Sequence, residues 1–136
     1  MMEQHTTFDL FVYGTLRSRH DANAVLQGCE RRGTGVVHGI MYDIDGRFPA
    51  SILYGDTPIH GEVWRCPSSL LLQLDQYEGV GSGLFRRVAT VALMDDGEEA
   101  PCWIYTAGPA LSRRLTPSAR IEGGRYTPKS GDDDVE

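Results

Sequence analysis

The sequence predicts a single α+β domain, a mixed β-barrel of about six short strands flanked by two helices. The chain has 136 residues, the length of one ordinary domain. Short β-branched and aromatic segments alternate with turn signals, at the spacing of about 8–12 residues that is typical of sandwiches and barrels. Only two segments show helical spacing, which is too few crossover helices for a doubly wound parallel sheet.

Six segments are predicted as strands, because each is short, apolar or alternating, and bounded by Gly, Pro or Asp. The first ends at Gly14, where a tight turn is expected. Asp45-Gly46 predicts a hairpin turn, and Asp56-Thr57-Pro58 a second turn. The strands are expected at residues 8–13, 36–44, 48–54, 59–65, 84–94 and 102–107.

Two short helices are predicted from capping residues and apolar spacing. Asp21 can cap a helix over residues 22–27, which Gly28 can close. Pro67 and Ser68 can open a second helix over residues 69–77. Its apolar stripe consists of Leu70, Leu71, Leu74 and Tyr77.

The C-terminal part of the chain differs in composition from the rest. From Gly108 onward Pro, Gly, Ser and Arg predict an irregular course with up to one helical turn. Residues 129–136 hold one Lys and four acids with little apolar content, which predicts a disordered acidic tail. The domain is therefore expected over residues 8–128, and the tail is expected to be dispensable for folding and activity.

Composition excludes several classes of protein. The net charge of −6 makes nucleic acid a poor partner, because phosphate binding needs a basic footprint. No segment approaches the run of about 18 apolar residues of a membrane span, and residues 1–9 lack the apolar region of a signal peptide. Three cysteines without a CxxC spacing predict neither a disulfide framework nor a structural zinc site. A cytoplasmic location is expected.

The first candidate functional segment is Tyr13-Gly14-Thr15-Leu16. A glycine directly after a buried strand lets the chain turn sharply, so that main-chain N–H groups point outward and can hold a carboxylate or an oxyanion. The same sequence also suits an ordinary turn at the end of a strand, so both interpretations stay open for these four residues.

The second candidate is Glu78, at the C-terminal end of the second predicted helix. The helix dipole disfavours a carboxylate there by roughly 0.3–1 kcal/mol. A carboxylate whose ionised form is disfavoured has a raised pKa, which suits a general base or acid. The alternative is a solvated surface Glu. Asp75 shares the helix face and is expected to be solvated or bonded within the turn.

Other patterns are weaker. The glycine-rich residues 79–83 follow a helix and precede a strand, the wrong order for a phosphate loop, so they predict a flexible loop at a rim or lid. His60 and Glu62 share a strand face without an evident third ligand, so no metal site is predicted. Arg86 and Arg87 alternate across a strand, so that at most one can face a given site.

Six segments in register resemble motifs of the γ-glutamylcyclotransferase-like, or AIG2-like, proteins. They are residues 11–16 (FVYGTL), 48–50 (FPA), 61–64 (GEVW), 74–79 followed by 85–87 (LDQYEG and FRR), 102–105 (CWIY) and 121–126 (IEGGRY). The resemblance spans residues 8–126, and the chain is identified as a member of that family on these motifs together.

The resemblance implies the mixed barrel of that family and a γ-glutamyl cyclotransferase reaction, catalysed by a lyase or acyltransferase of γ-glutamyl amides. The α-amine of a γ-glutamyl amine or amino-acid conjugate attacks its own γ-carbonyl, 5-oxoproline forms and the free amine leaves. Glu78 corresponds to the family's proton acceptor, and the glutamyl group binds at the Tyr-Gly-Thr-Leu loop. The substrate-binding residues are then Tyr13, Gly14, Thr15, Leu16 and Tyr105. No metal or cofactor is implied.

The sequence departs from the family pattern at two places. Phe85 stands where the family often has Tyr, and Arg125 and Tyr126 replace Asp and Trp. A non-catalytic small-ligand binding module and a lyase acting on a different amine conjugate remain alternatives. We expect a small-molecule substrate, a cavity shared by the Gly14 loop and the end of the second helix, and a monomer or weak homodimer.

Overall fold

Five strands make up most of the computed structural model, which describes residues 6–14 and 26–126. The first strand is short and apolar, and the next two are much longer than predicted. The strands are β1 (Thr7–Val12), β2 (Glu30–Ile44), β3 (Phe48–Pro67), β4 (Phe85–Met94) and β5 (Glu99–Ala107).

The strands close into a barrel in the order β1-β3-β2-β4-β5. Every neighbouring pair is antiparallel except β1 and β5, which run parallel and close the barrel through Leu10 opposite Trp103 and Phe11 opposite Ile104. The mixed α+β barrel expected from the sequence is confirmed.

The expected break between the third and fourth strands was wrong. Residues 48–54 and 59–65 belong to one strand, β3, so five strands replace six. Along β2 the register passes from Ile40 opposite Ile52 directly to Gly39 opposite Thr57, so residues 53–56 bulge out between them. The turn signal at Asp56-Thr57-Pro58 therefore marks a bulge within a continuous ladder.

Both hairpins lie close to where the sequence predicts them. Asp45, Gly46 and Arg47 connect β2 to β3, and the first two have φ angles of 56° and 73°, the left-handed pair of a tight turn. Asp43 Oδ1 accepts a 3.1 Å hydrogen bond from Gly46 N and fixes this turn. The second hairpin is shorter than predicted, because β5 begins at Glu99 rather than at Cys102.

One α-helix lies within the described residues, α1 (Leu71–Tyr77), and a 3₁₀ turn at Ser68–Leu70 leads into it. The predicted helix over 69–77 is thus confirmed, with its first turn wound more tightly. Two further 3₁₀ segments, Pro109–Arg114 and Pro117–Ala119, follow Gly108 where an irregular course was expected. The predicted helix over 22–27, apart from its last two residues, and the predicted tail at 129–136 lie outside the described residues.

The two faces of the sheet pack into separate apolar clusters, as the period of two along β1 requires. Leu10 and Val12 pack with Leu74 of α1, whereas Phe11 packs with Val63 and other strand residues on the opposite face. This arrangement holds the end of α1 against the sheet beside the end of β1. Within the described ranges, no helix combines the length and the apolar character that crossing a bilayer requires.

Candidate active site

A cavity of about 340 Å³ opens where β1 ends, beside the β2–β3 hairpin and the C-terminal end of α1. Gly14 and Glu78 both line it, which confirms the expected shared cavity. Most of its wall is apolar or aromatic, as is usual for a small-molecule site. The lining residues are Phe11, Val12, Tyr13, Gly14, Arg47, Phe48, Pro49, Tyr77, Glu78, Leu84, Phe85 and Tyr105.

Glu78 caps the C-terminus of α1, and its main-chain N–H donates a 2.9 Å hydrogen bond to the Leu74 carbonyl. Gly79 follows at a φ of 68°, a left-handed conformation that turns the chain away and leaves Glu78 facing the cavity. No described residue donates a hydrogen bond to its carboxylate.

Burial without a partner disfavours the ionised form, and it raises the pKa of Glu78 to about 7. The sequence indicated a raised pKa through the helix dipole, whereas the structure assigns it to desolvation. A carboxyl group with this pKa is present in both protonation states near neutral pH. It can therefore accept a proton in one step and return it in another.

Tyr13 is buried, and its hydroxyl both donates and accepts a hydrogen bond. The hydroxyl donates a 2.6 Å hydrogen bond to the Tyr105 carbonyl and accepts a 3.1 Å bond from Ser51 N. Burial raises the pKa of Tyr13, so its phenol stays neutral. The side chain thereby links the end of β1 to both β3 and β5, and it forms part of the cavity wall.

Gly14 lies against Pro49 of the facing strand. A Cβ atom at position 14 would lie 2.9 Å from the Pro49 Cγ atom, closer than carbon atoms pack. The absence of a side chain therefore allows the turn after β1 to approach the β2–β3 hairpin closely. Thr15 and Leu16, the other two predicted loop residues, lie outside the described residues.

Asp75 is neither solvated nor bonded within its own turn, so that expectation was wrong. Its Oδ1 accepts a 2.6 Å hydrogen bond from the Tyr105 hydroxyl and a 2.8 Å bond from Arg87 Nε. Arg87 Nη2 completes the pair with a 3.2 Å bond to Oδ2, and its guanidinium lies 4.3 Å from the centre of the Trp103 ring. Arg87 reaches this network while its neighbour Arg86 is exposed, as strand alternation predicts.

The network sets the charges beside the cavity. Burial opposes ionisation of Asp75, but the hydrogen bonds from Arg87 and Tyr105 outweigh it and hold the pKa of Asp75 below its usual value. Burial, followed by the bond to Asp75, raises the pKa of the Tyr105 phenol. Asp75 is thus a fixed, compensated anion, whereas Glu78, three residues further along the chain, can change its charge near neutral pH.

Residues 79–83 form a short 3₁₀ segment (Val80–Ser82) between two left-handed glycines. Leu84 N donates a 3.0 Å hydrogen bond to the Gly79 carbonyl, and Ala110 N a 2.9 Å bond to the Gly83 carbonyl. These bonds tie the segment to the start of β4 and to the chain after β5. Leu84 and Phe85, which follow it, belong to the cavity wall.

His60 and Glu62 lie at a smaller cavity of about 160 Å³, away from Glu78. Glu62 Oε1 accepts a 3.0 Å hydrogen bond from Trp64 Nε1, and Oε2 lies 3.4 Å from Arg31 Nε. In the described part of the chain, no three His, Cys, Asp or Glu side chains are grouped as metal ligands.

Of the site residues expected from the sequence, Glu78, Tyr13, Gly14 and Tyr105 line the cavity, whereas two features of the site were not expected. One is the contact between Asp75 and Arg87, although an acid on the helix and a pair of arginines at the start of the next strand were visible. The other is Arg47, which lines the cavity directly after the predicted hairpin turn.

The family model described as gamma-glutamyl cyclotransferase, AIG2-like, matches residues 10–128. No curated protein matches the sequence.

Several solved structures share the fold. An AIG2-like protein from Mus musculus is 20% identical with a TM-score of 0.69, over 93% of this chain and 99% of that one. A uropathogenic E. coli-specific protein is 23% identical with a TM-score of 0.65, over 86% and 89%. A structure described as gamma-glutamyl cyclotransferase is 18% identical with a TM-score of 0.63, over 75% and 67%. With the family model covering most of the chain, this protein belongs to the gamma-glutamyl cyclotransferase, AIG2-like family.

Proposed function

We propose that the protein is a γ-glutamyl cyclotransferase that converts a γ-glutamyl amine or amino-acid conjugate into 5-oxoproline and the free amine. The observation that carries this proposal is the position of Glu78, a largely buried carboxyl group with a pKa of about 7 in a mainly apolar cavity. Family membership supplies the reaction type.

Glu78 is the general base and acid of the proposed reaction. The substrate's α-ammonium group must lose a proton before its nitrogen can attack, and the Glu78 carboxylate accepts it. The nitrogen then attacks the γ-carbonyl carbon, a new C–N bond closes the five-membered ring, and the bond to the departing nitrogen breaks. The α-nitrogen loses two protons in all, and the departing nitrogen gains two as it leaves as an ammonium ion, so no water or cofactor is consumed.

The turn after β1 binds the glutamyl group in this proposal. Main-chain N–H groups over residues 14–16 donate hydrogen bonds to the substrate, including the oxyanion that forms at the γ-carbonyl. The hydrogen bond from the Tyr13 hydroxyl to the main-chain carbonyl of Tyr105 holds the cavity wall in place beside Gly14. Because nucleophile and electrophile belong to one molecule, folding the substrate into a ring-closing conformation supplies much of the rate.

A cytoplasmic location is part of the proposal, since the three cysteines are free thiols, as is usual in a reducing compartment. The protein would act on a small molecule as a monomer or weak homodimer.

Incubation with γ-glutamyl amino acids, γ-glutamyl-lysine amides and glutathione, followed by chromatography for 5-oxoproline, tests the proposal. Formation of 5-oxoproline with an equal amount of free amine is the expected result. Release of glutamate would indicate hydrolysis by water and contradict the cyclisation. Binding of these conjugates without any product, measured by calorimetry, would support the alternative of a non-catalytic binding module.

A further inference from the structure

Among the described residues that line the cavity at Glu78, Arg47 and Glu78 are the only charged ones. They differ in exposure, because Glu78 is largely buried and Arg47 is exposed. The cavity thus has a carboxyl group in its interior and a guanidinium group toward solvent.

The hairpin holds Arg47 beside the cavity. Arg47 directly follows the Asp45-Gly46 turn, and its main-chain N–H donates a 2.9 Å hydrogen bond to the Ile44 carbonyl. The next two residues, Phe48 and Pro49, also line the cavity. The position of the Arg47 backbone is therefore set by the turn.

The acids nearest to Arg47 in the sequence have other partners. Asp45 forms an ion pair with Arg114, and Asp43 accepts a hydrogen bond from Gly46 N. No described acid lies within ion-pair distance of the Arg47 guanidinium. The guanidinium is therefore available to a carboxylate that enters from outside.

We infer that Arg47 binds a carboxylate on the departing amine, so that the preferred substrates are γ-glutamyl amino acids rather than neutral γ-glutamyl amines. This inference rests on the proposed function. If Glu78 takes a proton from the α-ammonium group, the α-carbon and its carboxylate lie at the buried end of the cavity. The substituent on the departing nitrogen then projects toward the mouth, where Arg47 lies.

Guanidinium suits this task because it binds a carboxylate through two parallel hydrogen bonds. Such a contact at the mouth distinguishes an acidic leaving group from a neutral one of the same size. The contact with Arg47 affects how tightly the departing part of the substrate binds. It does not change the groups that transfer the proton at Glu78.

γ-Glutamylalanine and γ-glutamylalaninamide form a matched pair of substrates that differ only in a carboxylate and a carboxamide. The experiment measures 5-oxoproline formation from both by the parent protein and by Arg47→Gln, Arg47→Lys and Arg113→Gln. Arg113 is exposed and does not line the cavity, so Arg113→Gln controls for the loss of one surface charge.

The parent is expected to prefer γ-glutamylalanine, and Arg47→Gln is expected to lower the ratio of the two kcat/KM values by about tenfold, mainly through KM. Arg47→Lys should restore part of the preference, and Arg113→Gln should keep the parent ratio. Added salt should reduce the preference of the parent, because the contact is exposed.

An unchanged ratio in Arg47→Gln would overturn the inference while leaving the proposed function intact. Equal losses of kcat/KM on both substrates in Arg47→Gln would also overturn the inference, because Arg47 would then bind the α-carboxylate that both substrates share. Failure of the parent to form 5-oxoproline from either substrate, where other γ-glutamyl conjugates are also inert, would overturn the proposed function and this inference with it.

Discussion

The hydroxyl of Tyr13 donates a 2.6 Å hydrogen bond to the main-chain carbonyl of Tyr105, which lies 92 residues further along the chain. This bond joins the end of β1 to β5, beside the parallel pairing that closes the barrel. The same hydroxyl accepts a bond from Ser51 N of β3. One buried phenol therefore connects three of the chain segments around the cavity.

Tyr13→Phe is expected to destabilise the protein by about 1–3 kcal/mol, because the Ser51 N–H and the Tyr105 carbonyl would both lose a partner in a buried position. Urea unfolding measures the effect. Tyr54→Phe is the matched control. Tyr54 is 75% exposed, so this variant should lose little stability. Equal stability of the two variants would show that the buried hydroxyl contributes nothing.

Asp75→Asn is expected to impair both stability and turnover. The amide cannot accept the bidentate pair from Arg87 as the carboxylate does, and the Tyr105 side chain at the cavity wall would lose its charged acceptor. We expect a loss of about 1 kcal/mol in the free energy of unfolding and a clear fall in kcat/KM.

Asp9→Asn is the matched control for Asp75→Asn. Asp9 also accepts two hydrogen bonds from one arginine, Arg65, but it does not line the cavity. The control should lose stability without losing turnover. If both variants lose turnover to the same degree, the effect of Asp75→Asn is one of stability alone.

Gly61→Ala is expected to destabilise the barrel by about 1–3 kcal/mol, because overpacking a well-filled interior forces its surroundings to move. A Cβ atom at position 61 would lie 2.3 Å from the Val12 carbonyl oxygen and 2.7 Å from the Phe11 ring. Gly81→Ala serves as the control, since a Cβ atom there meets nothing within 4 Å. Thermal unfolding of the two variants should give a clearly lower Tm for the first only.

The pKa of Glu78 makes stability depend on pH in a defined direction. Its pKa rises from an ordinary 4.5 to about 7 on folding, so the folded state binds the proton more tightly. The protonated form of Glu78 contributes fully to stability below a pH of about 4.5, and this contribution is lost as the pH rises through about 7.

Glu78→Gln should therefore be more stable than the parent at pH 8, by about 1–3 kcal/mol, and the difference should shrink toward pH 4.5. Denaturant unfolding across this range measures it. Glu99→Gln, at an exposed position on β5, is the control for replacing one carboxylate by an amide. A difference between Glu78→Gln and the parent that stays constant with pH would contradict a raised pKa of Glu78 in the folded state.

Local chemistry made part of the fold predictable. Asp45-Gly46 fixed the first hairpin, because few residues adopt the two left-handed conformations of that turn. The continuity of β3 was not predictable, since it depends on pairing with Gly39 and Ile40 of β2. β2 begins as early as Glu30 because Glu30 pairs with Arg65 of β3. This pairing overrides the weak strand propensity of Gly33 and Gly35 in β2.

The candidate site, like the fold, was predictable from the sequence only in part. Glu78 was visible because an acid at the end of a helix needs an explanation. The cause of its raised pKa was not, because burial arises only when α1 packs beside β1 and the hairpin. The Asp75–Arg87–Tyr105 network joins residues 12 and 30 positions apart, and only the packing of α1 against β4 and β5 brings them together.

The rate of 5-oxoproline formation by Glu78→Gln, on a conjugate that the parent cyclises, tests the central claim most directly. Gln is nearly isosteric and keeps hydrogen-bonding capacity, but it cannot accept a proton near neutral pH. We expect kcat to fall by about 10²–10⁴-fold, with substrate still bound when measured by calorimetry. The kcat/KM of the parent should rise with pH through about 7, and this limb should vanish in the variant. Turnover by Glu78→Gln at the parent rate would contradict the assignment of Glu78 as the general base.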